Sequence, residues 1–104
     1  MGKNSVIKSL GNIIGIIAAH KILVKYTNKP ESLSHLKYEV IEYSNTGMEI
    51  AREFNWNQED KEKIAVQSLI SFEKEMKSKY PDIIFPKSEP EAIISKIIAD
   101  MLEN

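Results

Sequence analysis

Residues 5–24 read SVIKSLGNIIGIIAAHKILV, and no other stretch constrains the fold of this chain as strongly. Ile7, Leu10, Ile14, Ile17 and Val24 recur at three- and four-residue steps, with Lys21 the one polar member of the row. A second row of Val6, Ile13, Ile16, His20 and Leu23 widens the apolar face. This is the pattern of a helix buried on more than one side, and a helix over 5–26 follows. The length also suits a membrane span, which needs about 20 apolar residues. Lys8, Asn12, His20 and Lys21 interrupt it, however, and a lysine near mid-membrane costs roughly 2.5–3.5 kcal/mol. A secretory signal is outlined by Lys3, Lys8 and Ala18-Ala19, but Ile17 is a poor residue three before the cleavage point. Val6 stands where a myristoylation motif needs Ser or Thr. The segment is therefore expected to pack inside a soluble domain.

Such a helix needs a scaffold of others, and the remaining periodicity supplies three. Thr27-Asn28-Lys29-Pro30 reads as a turn, with Pro30 suited to a first helical turn. Leu33, Leu36, Val40, Tyr43, Gly47, Ile50 and Phe54 then keep alternating three- and four-residue steps, predicting one helix over 31–54. That register runs straight through Ser44-Asn45-Thr46-Gly47, allowing a bend at Gly47. The competing signal is Thr46 with Glu49, a capping box that would start a new helix there. Asn57 with Asp60 caps a third helix, which runs to 79 and buries Ile64, Ala65, Leu69, Phe72 and Met76. Glu59 and Asp60 favour its positive end, and Lys74, Lys77 and Lys79 its negative one. Tyr80-Pro81-Asp82 stops it, and Ile83-Ile84-Phe85-Pro86 is an extended apolar connector expected to lie against the core. Ser88-Glu89-Pro90-Glu91 opens a last helix over 89–102 with Ile93, Ile94, Ile97, Ile98, Met101 and Leu102. The expected fold is all-α: one domain over 1–104, a compact bundle of about four helices with short, antiparallel connections.

A chain of 104 residues hides a modest share of its surface, so a partner or a second copy would be a natural supplement. The absence of cysteine removes disulfides, thiolate metal sites and cysteine nucleophiles, and suits a reducing, cytoplasmic setting. Net charge is −1, unevenly spread: residues 1–38 carry +5 and residues 39–104 carry −6. The basic third fits either attraction to the acidic remainder, within or between copies, or an anionic target such as a membrane surface. Specific nucleic-acid reading is not expected, because the third helix opens Glu-Asp-Lys-Glu-Lys and would repel phosphate.

Three groups of residues invite a functional reading. Gly11, Gly15 and Ala19 form a ridge of small residues four apart on the first helix, where another backbone can approach closely. Helix two or four of the same chain can fill it, or it can serve as a self-association seam. His35, Glu39 and Glu42 share one face of helix two, continued by Thr46, Glu49 and Glu53. That spacing is sterically competent for a divalent metal, but acids flanking an apolar seam more commonly pair with lysines of another helix or subunit. His20, among Ile16 and Leu23, is expected to be partly buried on a backbone carbonyl. Serine nucleophile elbows, glycine-rich phosphate loops and zinc spacings are absent.

Two resemblances add alternatives. Glu39-x-x-Glu42 and Glu59-x-x-Glu62 resemble the paired Glu motifs of all-helical nucleotide pyrophosphohydrolases, which implies Mg²⁺ on those four residues. The sequence departs from that family in that its second pair ends in Glu, not Asp, and opens a helix. The order of charged helix 61–79, apolar connector Ile83-Ile84-Phe85 and Glu-led apolar helix 91–102 resembles small phage holins with one hydrophobic segment. That likeness covers about the last 45 residues and implies a membrane-surface role for the basic, apolar first helix, which is too polar to span as theirs does. The residues themselves point to a non-enzymatic protein–protein interaction or assembly module without cofactor, acting on a partner protein or on itself. Gly11, Gly15, Ala19, Glu39, Glu42, Glu49 and Glu53 are its candidate contact residues.

Overall fold

The computed structural model describes residues 2–27 and 29–102. It contains α1 (Lys3–Tyr26), α2 (Leu33–Ala51), α3 (Gln58–Lys79) and α4 (Glu89–Leu102), with a 3₁₀ turn, Pro30–Ser32, ahead of α2. The expected Thr27–Pro30 turn includes Asn28, which lies outside the described residues, as do Met1, Glu103 and Asn104. The architecture is the all-α bundle that the periodicity predicts. Its radius of gyration, 13.4 Å, matches the roughly 13 Å of a compact chain of this length.

The bundle is built around α1, which packs on all three other helices and most extensively on α3. Leu10, Ile14, Ile17, Ala18, Ala19 and Ile22 are fully buried along it. By length and composition α1 is apolar enough to cross a membrane, and 67% of that stretch is buried inside the fold. Its polar interruptions divide by direction. Asn12 and His20 turn inward to partners on α3 and α2, whereas Lys8 and Lys21 stay exposed.

The small-residue ridge meets α3, not α2 or α4 as expected. A Cβ on Gly11 would lie 2.6 Å from the Gln67 side chain, and one on Gly15 would lie 2.5 Å from the Ser68 carbonyl oxygen and 2.9 Å from Phe72 N. The reason is α3's own small face: Ser68 and Ser71 bring its backbone down onto the glycines. Ser68 is fully buried and donates to the Ile64 carbonyl at 2.7 Å. The seam is tied by Gln67 Nε2 donating to Asn12 Oδ1 (2.8 Å) and Ser71 Oγ donating to the Asn12 carbonyl (3.2 Å).

Both ends of α1 are clamped. At its start Lys3 pairs with Asp60 at 2.6 Å, donates to the Asn55 carbonyl and lies 5.3 Å from the centre of the Trp56 ring. Asp60 also completes the expected capping box: its N–H donates to Asn57 Oδ1 (2.8 Å) and its carboxylate accepts the Asn57 N–H. At the other end Lys25 and Tyr26 both donate to Glu89 in the first turn of α4.

α2 runs unbroken through Ser44–Gly47. Thr46 Oγ1 donates back to the Glu42 carbonyl (3.1 Å) rather than capping a new helix. Gly47 is buried beneath the end of the Met101 side chain. The helix is shorter than the expected 31–54, because the Trp56 indole N–H donates to the Ala51 carbonyl at 2.9 Å and turns the chain there. The connector also differs from expectation. Ile83 and Phe85 pack on the core, Phe85 edge-on to Phe72 at 5.6 Å, but Ile84 is 89% exposed. Extended backbone alternates its side chains, so three consecutive apolar residues cannot all face one way.

Gly15→Ala is expected to destabilise the fold by about 1–3 kcal/mol, because backbone atoms oppose the new methyl. Gly47→Ala, opposed closely by the flexible Met101 tip and touching Ile13 Cγ2 at 3.4 Å, should be close to neutral once its roughly 1 kcal/mol gain in helix propensity is included. Urea unfolding of the two variants measures both. The clamps also set an acid limit. The Lys3 ammonium, with the Asn57 amide, holds Asp60 below its ordinary 3.8, and Lys25, with Tyr26, holds Glu89 below its ordinary 4.5. Depressed carboxylates contribute stability that is complete above their ordinary values and lost as pH falls through the folded ones. Melting temperature should therefore drop below about pH 4.5, and less steeply in Asp60→Asn and Glu89→Gln.

Candidate functional site

Both histidines of the chain converge on one carboxylate. His20, 4% exposed on α1, sets Nδ1 against the Ile16 carbonyl at 2.8 Å and Nε2 against Glu39 Oε2 at 2.5 Å. His35, one turn before Glu39 on α2 and mostly exposed, sets Nε2 against Glu39 Oε1 at 2.5 Å. The helical reason is simple: the i, i+4 step stacks His35 over Glu39, and Glu39 stands at the edge of α2 nearest α1. The backbone-bonded His20 agrees with the sequence reading. Its bond to Glu39 joins residues on separate helices, which no spacing rule connects.

Hydrogen-bond arithmetic limits the chemistry of this cluster. The Ile16 carbonyl can only accept, so Nδ1 carries a hydrogen. Nε2 faces a carboxyl oxygen, so a second hydrogen lies between ring and carboxyl in any state that keeps that bond. The bond joins α1 to α2, with the Tyr43 ring 6.0 Å from the His20 ring. Outside it His35, Tyr38, Glu39, Glu42, Tyr43 and Thr46 line a shallow recess of about 360 Å³. Tyr38 donates to Glu42 at 2.6 Å across one helical turn, and the bonded carboxylate holds the phenol above its usual range. A larger recess of about 560 Å³ opens where the end of α1, the start of α2 and the 80–83 connector meet. It is lined by charges of both signs, including Lys29, Glu31, Lys79 and Asp82.

Among the described residues no group of three or more His, Asp or Glu side chains is placed to hold a metal ion. His35, Glu39 and Glu42 share a face, as the spacing implies, but Glu39 is taken by the two histidines and Glu42 by Tyr38. Glu59 and Glu62 lie in the exposed first turns of α3, Glu59 paired with Lys63 at 3.4 Å.

The other candidate contact residues divide sharply. Gly11, Gly15 and Ala19 are buried within the bundle. Glu42, Glu49 and Glu53 are exposed, and Glu39 is turned partly inward. Beside this acidic edge the outer face of α2 presents Tyr38 (59% exposed), Ile41 (60%) and Met48 (38%). The sequence reading passed over these three. They follow the same three- and four-residue steps as the inner row, displaced around the helix, and that second register is the signal for them.

Glu39→Leu should destabilise the protein by about 1–3 kcal/mol, since it leaves the buried His20 Nε2 unpartnered. Glu39→Gln, whose amide can donate to a neutral Nε2, should stay within about 1 kcal/mol of the parent. Chemical denaturation measures both, and ¹⁵N spectra of the imidazoles should find His20 Nδ1 protonated in both the parent and Glu39→Gln. Against known proteins, no family model, curated protein or solved structure matches this chain.

Proposed function

We propose that this chain is a small helical interaction module that acts by surface contact rather than by chemistry, through the outer face of α2. The observation that carries this reading is the exposure of Tyr38, Ile41 and Met48 in helical register on one side of a 19-residue helix. Single exposed apolar residues are ordinary. A row of them, edged by charge, is how a helix presents itself to another helix. On its inner side α2 buries only Leu36, Gly47 and Ala51 outright, so much of its surface remains available. Glu42, Glu49 and Glu53 edge the same face and would set orientation more than affinity.

Placing a photo-crosslinking residue at Ile41 in the cells that make the protein tests this. A discrete adduct is expected, lost when Met48→Glu is added, while the same probe at Ile84 gives none. No adduct at Ile41 would remove the reading.

A second reading, action at a membrane surface, draws on the length and apolar composition of α1. It requires the bundle to open, since two thirds of that stretch is covered by the other helices. Flotation with anionic vesicles should leave the folded chain in solution; co-migration with the vesicles would favour this second reading instead.

A further inference from the structure

Ser34, Tyr38, Ile41, Asn45 and Met48 fall at steps of 4, 3, 4 and 3 along α2, and all five are exposed. In heptad terms Tyr38 and Asn45 occupy a positions, and Ser34, Ile41 and Met48 occupy d positions. The inner row that packs on α1 and α4 follows a separate register, so α2 carries two seams, and the bundle covers one.

Resting on the interaction reading above, we propose that the outer seam is covered by a second copy of this chain, its α2 parallel to and in register with the first. Three features select this occupant. The flanks are of opposite sign: Lys37 stands at the g position on one side, and Glu42 and Glu49 at e positions on the other. In a parallel pair each g residue faces the following e residue across the seam, so Lys37 meets the partner's Glu42, and the two-fold axis repeats that contact. An antiparallel pair would set the acidic flanks together, with Glu42 against the partner's Glu49, and like charges there repel. Asn45 provides the second feature. An Asn at one a position lowers affinity but fixes register and dimeric state, because only the in-register partner presents a matching amide.

The third feature is preorganisation. A seam of under three heptads would not form between free peptides, for which helix nucleation is unfavourable. Here the helix already exists, held from behind by the core and by the His20–Glu39 bond. Tyr38 further orders the flank by donating to the exposed Glu42. Three apolar side chains per copy make this a weak, concentration-dependent dimer rather than an obligate one.

The test uses the full chain. Sedimentation equilibrium up to about 1 mM should show a monomer–dimer equilibrium. Ile41→Glu should weaken it at least tenfold. Because Ile41 is 60% exposed, that variant should keep the parent's helical circular dichroism and urea midpoint. Lys37→Glu and Glu42→Lys should each weaken dimerisation about three- to tenfold, and the Lys37→Glu/Glu42→Lys double variant should restore it. The chain has no cysteine of its own, so single cysteines report orientation cleanly. Ser34→Cys and Met48→Cys, about 21 Å apart along the helix, should each form a disulfide-linked dimer with itself.

A chain monomeric throughout that range overturns the proposal, as does a dimer indifferent to Ile41→Glu or one in which the two cysteines do not both self-link. If the purified chain is monomeric but the Ile41 probe captures a different protein in cells, the second-copy inference falls and the interaction reading stands. If the probe captures nothing, both fall.

Discussion

Everything in this fold hangs on how closely α1 and α3 approach. At Gly15 there is no room for a methyl group between the two backbones, and close packing of that kind leaves little slack for adjustment. The seam is notable for being small and polar rather than greasy: Ser68, Ser71, Gln67 and Asn12 bond across and along it. Hydrogen bonds made where backbones nearly touch fix rotation and register of the helix pair, which bulky aliphatic contacts alone specify loosely. With α1 and α3 set, α2 and α4 pack on the rest of α1, and the two end clamps close the arrangement.

Much of this architecture was legible in the residues because helical order is written locally. The start of α3 follows from Asn57 and Asp60, its end from the run of lysines before Tyr80, and α4 from its Glu-led apolar repeat. What periodicity could not supply is pairing between elements. The Gly11–Gly15–Ala19 ridge announced a close approach but not its partner, because the complementary small face on α3 is made of serines, which read as ordinary polar positions. The end of α2 is set by a side chain just beyond the register it interrupts, through a bond that periodicity does not encode: the Trp56 indole N–H donates to the Ala51 carbonyl. Within the candidate site, the His35–Glu39 step was visible as helical spacing, whereas His20 joined the cluster only through the packing of α1 on α2.

The acidic row of α2 shows how one helix face can divide its work. Glu39 turns inward and locks α2 to α1 through His20, while Glu42, Glu49 and Glu53 remain in solvent. A helix fastened from behind by a polar bond keeps its orientation when its outer side meets another surface. An aliphatic contact at the same place would allow it to roll. The inner polar bond and the outer apolar row are thus complementary: one removes the freedom that would otherwise have to be lost when the other is covered.

The place of the core helix in the chain has a consequence for biosynthesis. α1 is made first, yet the helix that covers its glycines is made third. At roughly 5–20 residues per second a ribosome needs seconds to add α2 and α3. Throughout that interval the most apolar segment of the molecule has no completed scaffold to enter. Its lysines Lys8 and Lys21 are exposed in the finished bundle. During synthesis they interrupt the apolar run and so act as gatekeepers against self-aggregation of the nascent chain.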